Sequence, residues 1–496
     1  AGVKRTTRAS VTGSAGPQGI AKVVMPAGNG DSEIGPEPAS GDTNLAGMVG
    51  EGVAGLERRE ATGGQTVELD VDSGPGGLGK EIAAETGINS RRARNDSTSI
   101  QLEINTRFQR KDAAGDPKIN TNAVFSQGAF KKRNDGTPSG GGPSTEPSIE
   151  LGLAWLAKQQ RAPGNWSLAS NGVSREENDR VIYDTPTAAT GLALLAFQGA
   201  GYNHKEYRYV ETVNRGVQWL VNNQKENGDL FVETNENSNA VCRLYSHGIA
   251  AIALCEAYGM TNDPDIKKSA QKSLDFIVAS QDKISGGWRY IPGTDSDTSV
   301  TGWMVMAMKS GRLAGLDVAP ESFKLVNRWL EFAADRKVGH RFRYNPNATN
   351  TADYPDREVK GKTPTACMSA VGLLLRLYSG WNREDPRMVQ GAAELLNRMP
   401  GENSMEERNT YYWYYATQVL RHVGGEPWQK WYDQTLYPLL IGTQTKKGPM
   451  AGSWDPLLPV PDRWGYFSGR LYLTTMNLLT LEVKWRLLPL YDETVK

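Results

Sequence analysis

From residue 148 onward, two helical patterns alternate along the chain. The first is one-sided. In "PSIELGLAWLAKQQ", "ETVNRGVQWLVNNQ", "AQKSLDFIVASQ" and "KLVNRWLEFAADRK", apolar residues recur three and four apart, with Lys, Glu and Asn between them. The second is apolar nearly all round. It recurs in "TPTAATGLALLAF" (185–197), "SHGIAAIALCEAY" (246–258), "DTSVTGWMVMAM" (297–308), "TPTACMSAVGLLLRLY" (363–378), "YYWYYATQVLRHV" (411–423) and "GRLYLTTMNLLTLEV" (469–483). A helix of the second kind needs cover on both sides, so it belongs inside a layer formed by the first kind. Six of each in strict alternation predict an all-α fold, an (α/α)6 toroid barrel with only helices and turns over 148–490. Alternation also makes the inner helices parallel, so their six N-termini open on one face. Thr185-Pro186, Thr363-Pro364 and Asp297-Thr298 supply the start signals of three of them.

The one-sided helices lead into recurring turns. Gln160 precedes Trp166, Gln281 precedes Trp288 and Gln444 precedes Trp454, each with glycine between, while Gln224 is followed by Leu230 where Trp would stand. Phe342-Arg343-Tyr344 echoes Trp288-Arg289-Tyr290. Units of this length repeated along a chain signal stacked helical hairpins.

The pattern changes before residue 148. Residues 1–150 contain no Trp, Tyr, Cys or His, and all 13 tryptophans follow. Such a segment buries little apolar surface against its ordering entropy. "TVELDVD" and "SIQLEINTRF" alternate like strands and need a partner surface. Residues 1–147 therefore read as an irregular, partly β arm ahead of a toroid domain at 148–496.

Charge excludes little beyond nucleic acid: 56 basic and 56 acidic residues cancel, which leaves no broad basic field. No apolar run reaches the roughly 20 residues of a membrane span. The chain opens at Ala1 rather than Met, which favours export or membrane association as an expectation. Cys242, Cys255 and Cys367 are too few for a disulfide framework.

The Gln-Gly-x-Trp turns resemble those of the α/α-toroid superfamily of terpenoid cyclases and protein prenyltransferases, over about 148–490. The longer pattern, "GGWRYIPG…DTSVTGW", "YYWYY" and "LTLEVKWRLLPLY", is similar to bacterial squalene-cyclase-like repeat proteins. The resemblance implies an Asp-x-Asp-Asp-Thr acid motif at an inner-helix N-terminus, whose middle Asp protonates an alkene. Laid on Asp297-Thr298, that motif puts Ser296 at the proton-donor position and Thr294 at its first Asp. Serine cannot protonate an alkene, so Asp295 and Asp297 are the remaining candidate catalytic acids. An aspartate at a helix start also serves as a plain cap. The prenyltransferase comparison implies zinc held by Asp, Cys and His, but Ser299 and Val300 stand where its His would follow. Cys242, His247 and Cys255 are the only local Cys/His group, short of a convergent tetrahedral set. No metal and no cofactor is expected.

The mouth of the ring is expected to be lined by Asp184, His247, Trp303, Thr365, Tyr411, Tyr412 and Tyr415. Aromatic faces can stabilise cations, though only about two of the five residues of "YYWYY" can face the axis. Two functions stay open. One is a binding or scaffolding toroid without the cyclase acid. The alternative is an isoprenoid-processing enzyme, cyclase or prenyltransferase in type, with Asp295 or Asp297 as a non-standard acid. The partners this leaves open are a lipid or isoprenoid ligand, and a second copy of the chain contacted through the arm.

Overall fold

The computed structural model describes residues 145–171, 181–352 and 354–486. The arm, with both candidate strands, lies outside the described residues. The outer helices are α1 (Thr145–Gln159), α3 (Val210–Asn222), α6 (Pro264–Ala279), α8 (Pro320–Ala333) and α11 (Pro386–Leu395). The sixth outer position is composite. α13 (Gly425–Trp428) passes through a π-helical stretch, Gln429–Leu436, into α14 (Tyr437–Thr443). The inner helices are α2 (Pro186–Gly199), α5 (Arg243–Thr261), α7 (Thr298–Leu313), α10 (Ala366–Tyr378), α12 (Thr410–Val423) and α15 (Gly465–Arg486). Two short helices, α4 (Glu236–Val241) and α9 (Arg357–Lys362), sit in the connections.

The inner helices close a ring. Each packs on the next in chain order, and α15 packs back on α2. The outer helices straddle their joints; α1, for example, lies against both α15 and α2. α2 is buried along its whole length, whereas α3 buries Val213, Gly216, Val217 and Leu220 and leaves its other face to solvent. That difference is the two-pattern alternation of the sequence, turned into two layers.

One arrangement differs from an all-helical ring. Phe342–Arg343 (β1) pairs antiparallel with Pro364–Thr365 (β2), at the long connection between α8 and α10. Two residues on each side leave the helical architecture intact, but they fix where Tyr344 enters the mouth.

The turns tie the outer ring together. Gln160 Nε2 donates to Gly164 O of its own turn (2.8 Å) and to Thr212 O of the next outer helix (2.9 Å). Gln224, Gln281 and Gln444 repeat this toward Ser269, Ser322 and Ser148. The last of these joins the final outer helix to the first and closes the circle. The indole N–H groups of Trp166, Trp288 and Trp454 donate to Leu156 O, Ile277 O and Leu440 O at 2.7, 2.8 and 2.9 Å. All three indoles are buried; truncating one to alanine is a loss of about 3–5 kcal/mol. Glycine is required in these turns. Gly286 has φ +96°, and a Cβ there would sit 2.1 Å from Leu325 O. Any side chain would meet both a left-handed backbone penalty and a clash.

Candidate functional site

The inner helices are capped on one face by side chains the sequence offers for that purpose. Thr185, Asp297, Thr365 and Asn409 accept hydrogen bonds from the first-turn N–H groups of α2, α7, α10 and α12. This face is the mouth of the ring, and the "GGWRYIPGTDSDT" loop is part of it.

Ser296 is fully buried. Its Oγ accepts from Gly287 N (3.0 Å) and bonds to Ser285 Oγ, which in turn bonds to Asp282. It braces the Gly-Gly-Trp turn. Asp297 is also fully buried. Its Oδ1 accepts from Val300 N at 2.7 Å, and its Oδ2 from the Tyr344 hydroxyl at 3.1 Å, with Arg289 Nε 3.8 Å away. Burial pushes this carboxyl up to about 7, against the opposing pull of Arg289, the Val300 N–H and Tyr344. Asp295 is 36% exposed, and its Oδ2 accepts from Arg289 Nη1 (2.9 Å) and Asn345 Nδ2 (3.2 Å). Arg289 therefore lies between the two carboxylates, and its guanidinium also covers the Tyr290 ring, 4.7 Å from the centroid. Burial works against its charge, but Tyr290, Tyr344 and the two aspartates outweigh it.

The echoed tyrosines meet directly: Tyr290 and Tyr344 hydroxyls lie 2.7 Å apart. The echoed arginines part company, since Arg343 pairs with Asp335 at 3.0 Å. Sequence reading noted the echo but did not assign Arg289, Tyr290 or Tyr344 to the site. The echo was the available signal.

Across the axis, α7 meets α12 although α10 lies between them in the ring. Ser299 Oγ and the Tyr411 hydroxyl are 2.6 Å apart. Trp303 stacks on Tyr414 (6.0 Å between centroids, 17° between planes) and meets Tyr415 edge-on at 5.9 Å and Tyr411 at 6.4 Å. Trp303, Tyr411 and Tyr415 are thus brought together, with Tyr414 as the unforeseen member. Residues 411, 414 and 415 share one helical face.

Tyr412 does not join them. Its hydroxyl donates to Leu395 O of α11 at 2.8 Å, and its ring meets Trp431 of the outer layer edge-on. One step along a helix turns a side chain by about 100°, enough to move it from axis to outer layer. His247 is likewise between the layers and not at the mouth. Its Nδ1 accepts from Leu230 N (3.2 Å), its Nε2 donates to Ser273 O (3.1 Å), and its ring packs on Phe276. Both ring nitrogens are therefore in use. Burial pushes the Cys242 thiol up to about 12 and the Cys255 thiol higher still, away from the thiolate a metal needs. Thr365 serves as the α10 cap, its Oγ1 accepting from Met368 N at 3.1 Å. Asp184, beside the Thr185 cap, accepts from Ser167 Oγ at 2.8 Å.

A second buried acid was not foreseen. Asp462 accepts from Trp464 N (2.8 Å) and Thr410 N (3.0 Å), and burial pushes it up to about 6. It sits in the Pro-rich loop before α15, where nothing in the sequence separates a buried aspartate from a turn residue.

The family description of the squalene-hopene cyclase C-terminal domain matches residues 136–245. Among solved structures, the alpha-1,6-mannanase GH76A of Salegentibacter sp. HEL1_6 is similar over 68% of this chain and 98% of its own, at 11% identity and TM-score 0.46. The type II terpene cyclase MstE from Scytonema is similar over 69% and 98%, at 13% identity and TM-score 0.41. A variant of that cyclase in complex with geranylgeranyl dihydroxybenzoate gives 72% and 99%, at 14% identity and TM-score 0.41. The described residues thus form a closed double ring of helices, an α/α toroid, and residues 136–245 are similar to the squalene-hopene cyclase C-terminal domain.

Proposed function

We propose that this toroid is a binding or scaffolding protein that holds an apolar ligand at the mouth of its ring and does not cyclise it. The observation that carries this reading is Ser296. At the position where the cyclase pattern has its proton donor, the chain has a hydroxyl locked into the Gly-Gly-Trp turn by Gly287 N and Ser285. An acid introduced there would point into the turn. Incubated with squalene or oxidosqualene, the purified protein yields no polycyclic product, and Ser296→Asp does not create one. A polycycle formed by the unmodified protein overturns the reading.

A second reading rests on Asp297, whose buried carboxyl carries a proton near neutral pH. It would make the chain an isoprenoid-processing enzyme with a non-standard acid. In that case a product would form and vanish in Asp297→Asn.

The arm is the contact the protein uses for its own copies, a reading that rests on the alternating faces of "TVELDVD" and "SIQLEINTRF". Sedimentation of a chain lacking residues 1–144 tests it. Assembly is lost while the melting of the ring is kept; assembly that persists refutes it.

A further inference from the structure

The inner helices, which open their N-termini on the mouth, bring their C-termini together at the opposite end of the ring. Three of them place chemistry there that the mouth does not use. Lys309 stands in the last turns of α7, Tyr378 closes α10, and His422 lies in the last turn of α12. Lys309 Nζ lies over the Tyr378 ring, 5.8 Å from its centroid, and the His422 ring meets Tyr378 edge-on at 6.2 Å. α5 brings the buried Glu256 to the same end.

The Lys309 side chain is half-buried, whereas Ala307 and Met308 before it are sealed off. It therefore reaches solvent while most of its surroundings are those of a protein interior. Further cations border this cluster. Arg312, one turn beyond Lys309, covers the Phe323 ring at 5.2 Å, and Arg421, beside His422, covers Trp428 at 5.5 Å. A helix C-terminus favours an ammonium. Burial and the charge of Arg312 outweigh that here and push the Lys309 amine down to about 8. Burial, with Arg421 and Lys309, likewise pushes His422 down to about 3, so its imidazole is uncharged at neutral pH. Desolvation and a neighbouring cation are the two conditions that turn a lysine from a counter-ion into a nucleophile.

We propose that Lys309, at the end of the ring opposite the mouth, is a covalent modification site that takes an acyl group from an acyl phosphate. The neutral amine attacks the acyl carbonyl carbon. A C–N bond forms as the C–O bond to phosphate breaks. Phosphate leaves with that electron pair, and the surplus Nζ proton goes to water. Arg312 and Arg421 supply the positive charge that draws in an anionic donor. The acyl-lysine carries no charge, so the reaction removes a cation from beside His422. The site does not depend on what the mouth holds.

Acetylation of the full chain by acetyl phosphate at pH 7.5, followed residue by residue with peptide mass spectrometry, tests this. Lys309 reacts at least about tenfold faster than the exposed Lys268 and Lys337. Its larger free-amine fraction favours it by on the order of a hundredfold, and hindered access takes back part of that. Its rate levels off about one unit above pH 8, while the exposed lysines still gain at pH 10. Unfolding the chain in guanidinium abolishes the difference, because the fold creates it. A neutral donor, the acetyl thioester of N-acetylcysteamine, favours Lys309 at least about threefold less than acetyl phosphate does. Acetylation of Lys309 no faster than that of Lys337 overturns the site, since the amine would then keep its proton, held by a carboxylate such as Glu256. A preference that survives unfolding overturns it as well. Equal preference from the two donors overturns the acyl phosphate as the source.

Discussion

His247 and Leu230 form a pair whose meaning appears only when the turns are compared residue by residue. In three turns, the backbone N–H of a buried Trp donates to an inner-helix threonine: Trp166 to Thr190, Trp288 to Thr301 and Trp454 to Thr474. In the fourth unit Phe342 donates to Ser369. In the second unit the same N–H belongs to Leu230, and its acceptor is His247 Nδ1. The aromatic bulk has moved from the turn to the inner helix. Each substitution alone is then misfit. Leu230→Trp would crowd the imidazole, and His247→Thr would open a void beside leucine, each at about 1–3 kcal/mol. Combined, they recreate the arrangement of the other turns. Denaturant unfolding of the two single variants and the double should give a favourable coupling of at least about 1 kcal/mol. Strict additivity would mean that the residues do not compensate each other.

At the scale of elements, sequence periodicity carried most of the ring. The inner helices could be recognised because residues apolar all round have no solvent face, and the outer ones because α3, α6 and α8 each keep one. What periodicity could not settle was where helices begin. α5 starts at Arg243 rather than near Ser246, since its N-cap residue, Cys242, makes no side-chain cap and α4 ends right against it. That shift of three residues brings Tyr245 into the first turn of α5, its ring 6.4 Å from that of Tyr290. The composite α13–α14 position was equally opaque, because a π-helical stretch spoils 3.6-residue spacing. Within "YYWYY" the expectation of two axial residues was close in number, but the helix phase decides which they are. Tyr411, Tyr414 and Tyr415 turn to Trp303, and Tyr412 to α11. Ser296 and Asp297 were legible as positions, and only the structure separated their roles. One hydroxyl is held in a turn, and one carboxyl is buried on a cap.

Asp297 also links the mouth to the stability of the whole molecule. Its carboxyl is pushed up to about 7 in the folded ring, from the ordinary 3.8 of an exposed aspartate. The folded state therefore holds a proton that the unfolded chain has released. The stability this contributes is complete below about pH 4 and is lost as pH rises through about 7. Asp462, pushed up to about 6 by burial, acts in the same sense. His422 opposes them: burial, with Arg421 and Lys309 nearby, pushes it down to about 3, so its contribution is lost as pH falls below about 6.5. The raw pH profile of the protein mixes these signs. A comparison with Asp297→Asn isolates one of them, because asparagine also caps a helix well and can still accept from Val300 N. Measured by denaturant unfolding from pH 4 to 8, the unmodified protein should lose stability relative to the variant as pH rises. The slope should be at most about 1.4 kcal/mol per pH unit, and the difference should level off above about pH 7. A difference that stays flat over the whole range would mean that Asp297 is ionised throughout in the folded ring, and the proton at the mouth would have to be sought at Asp462.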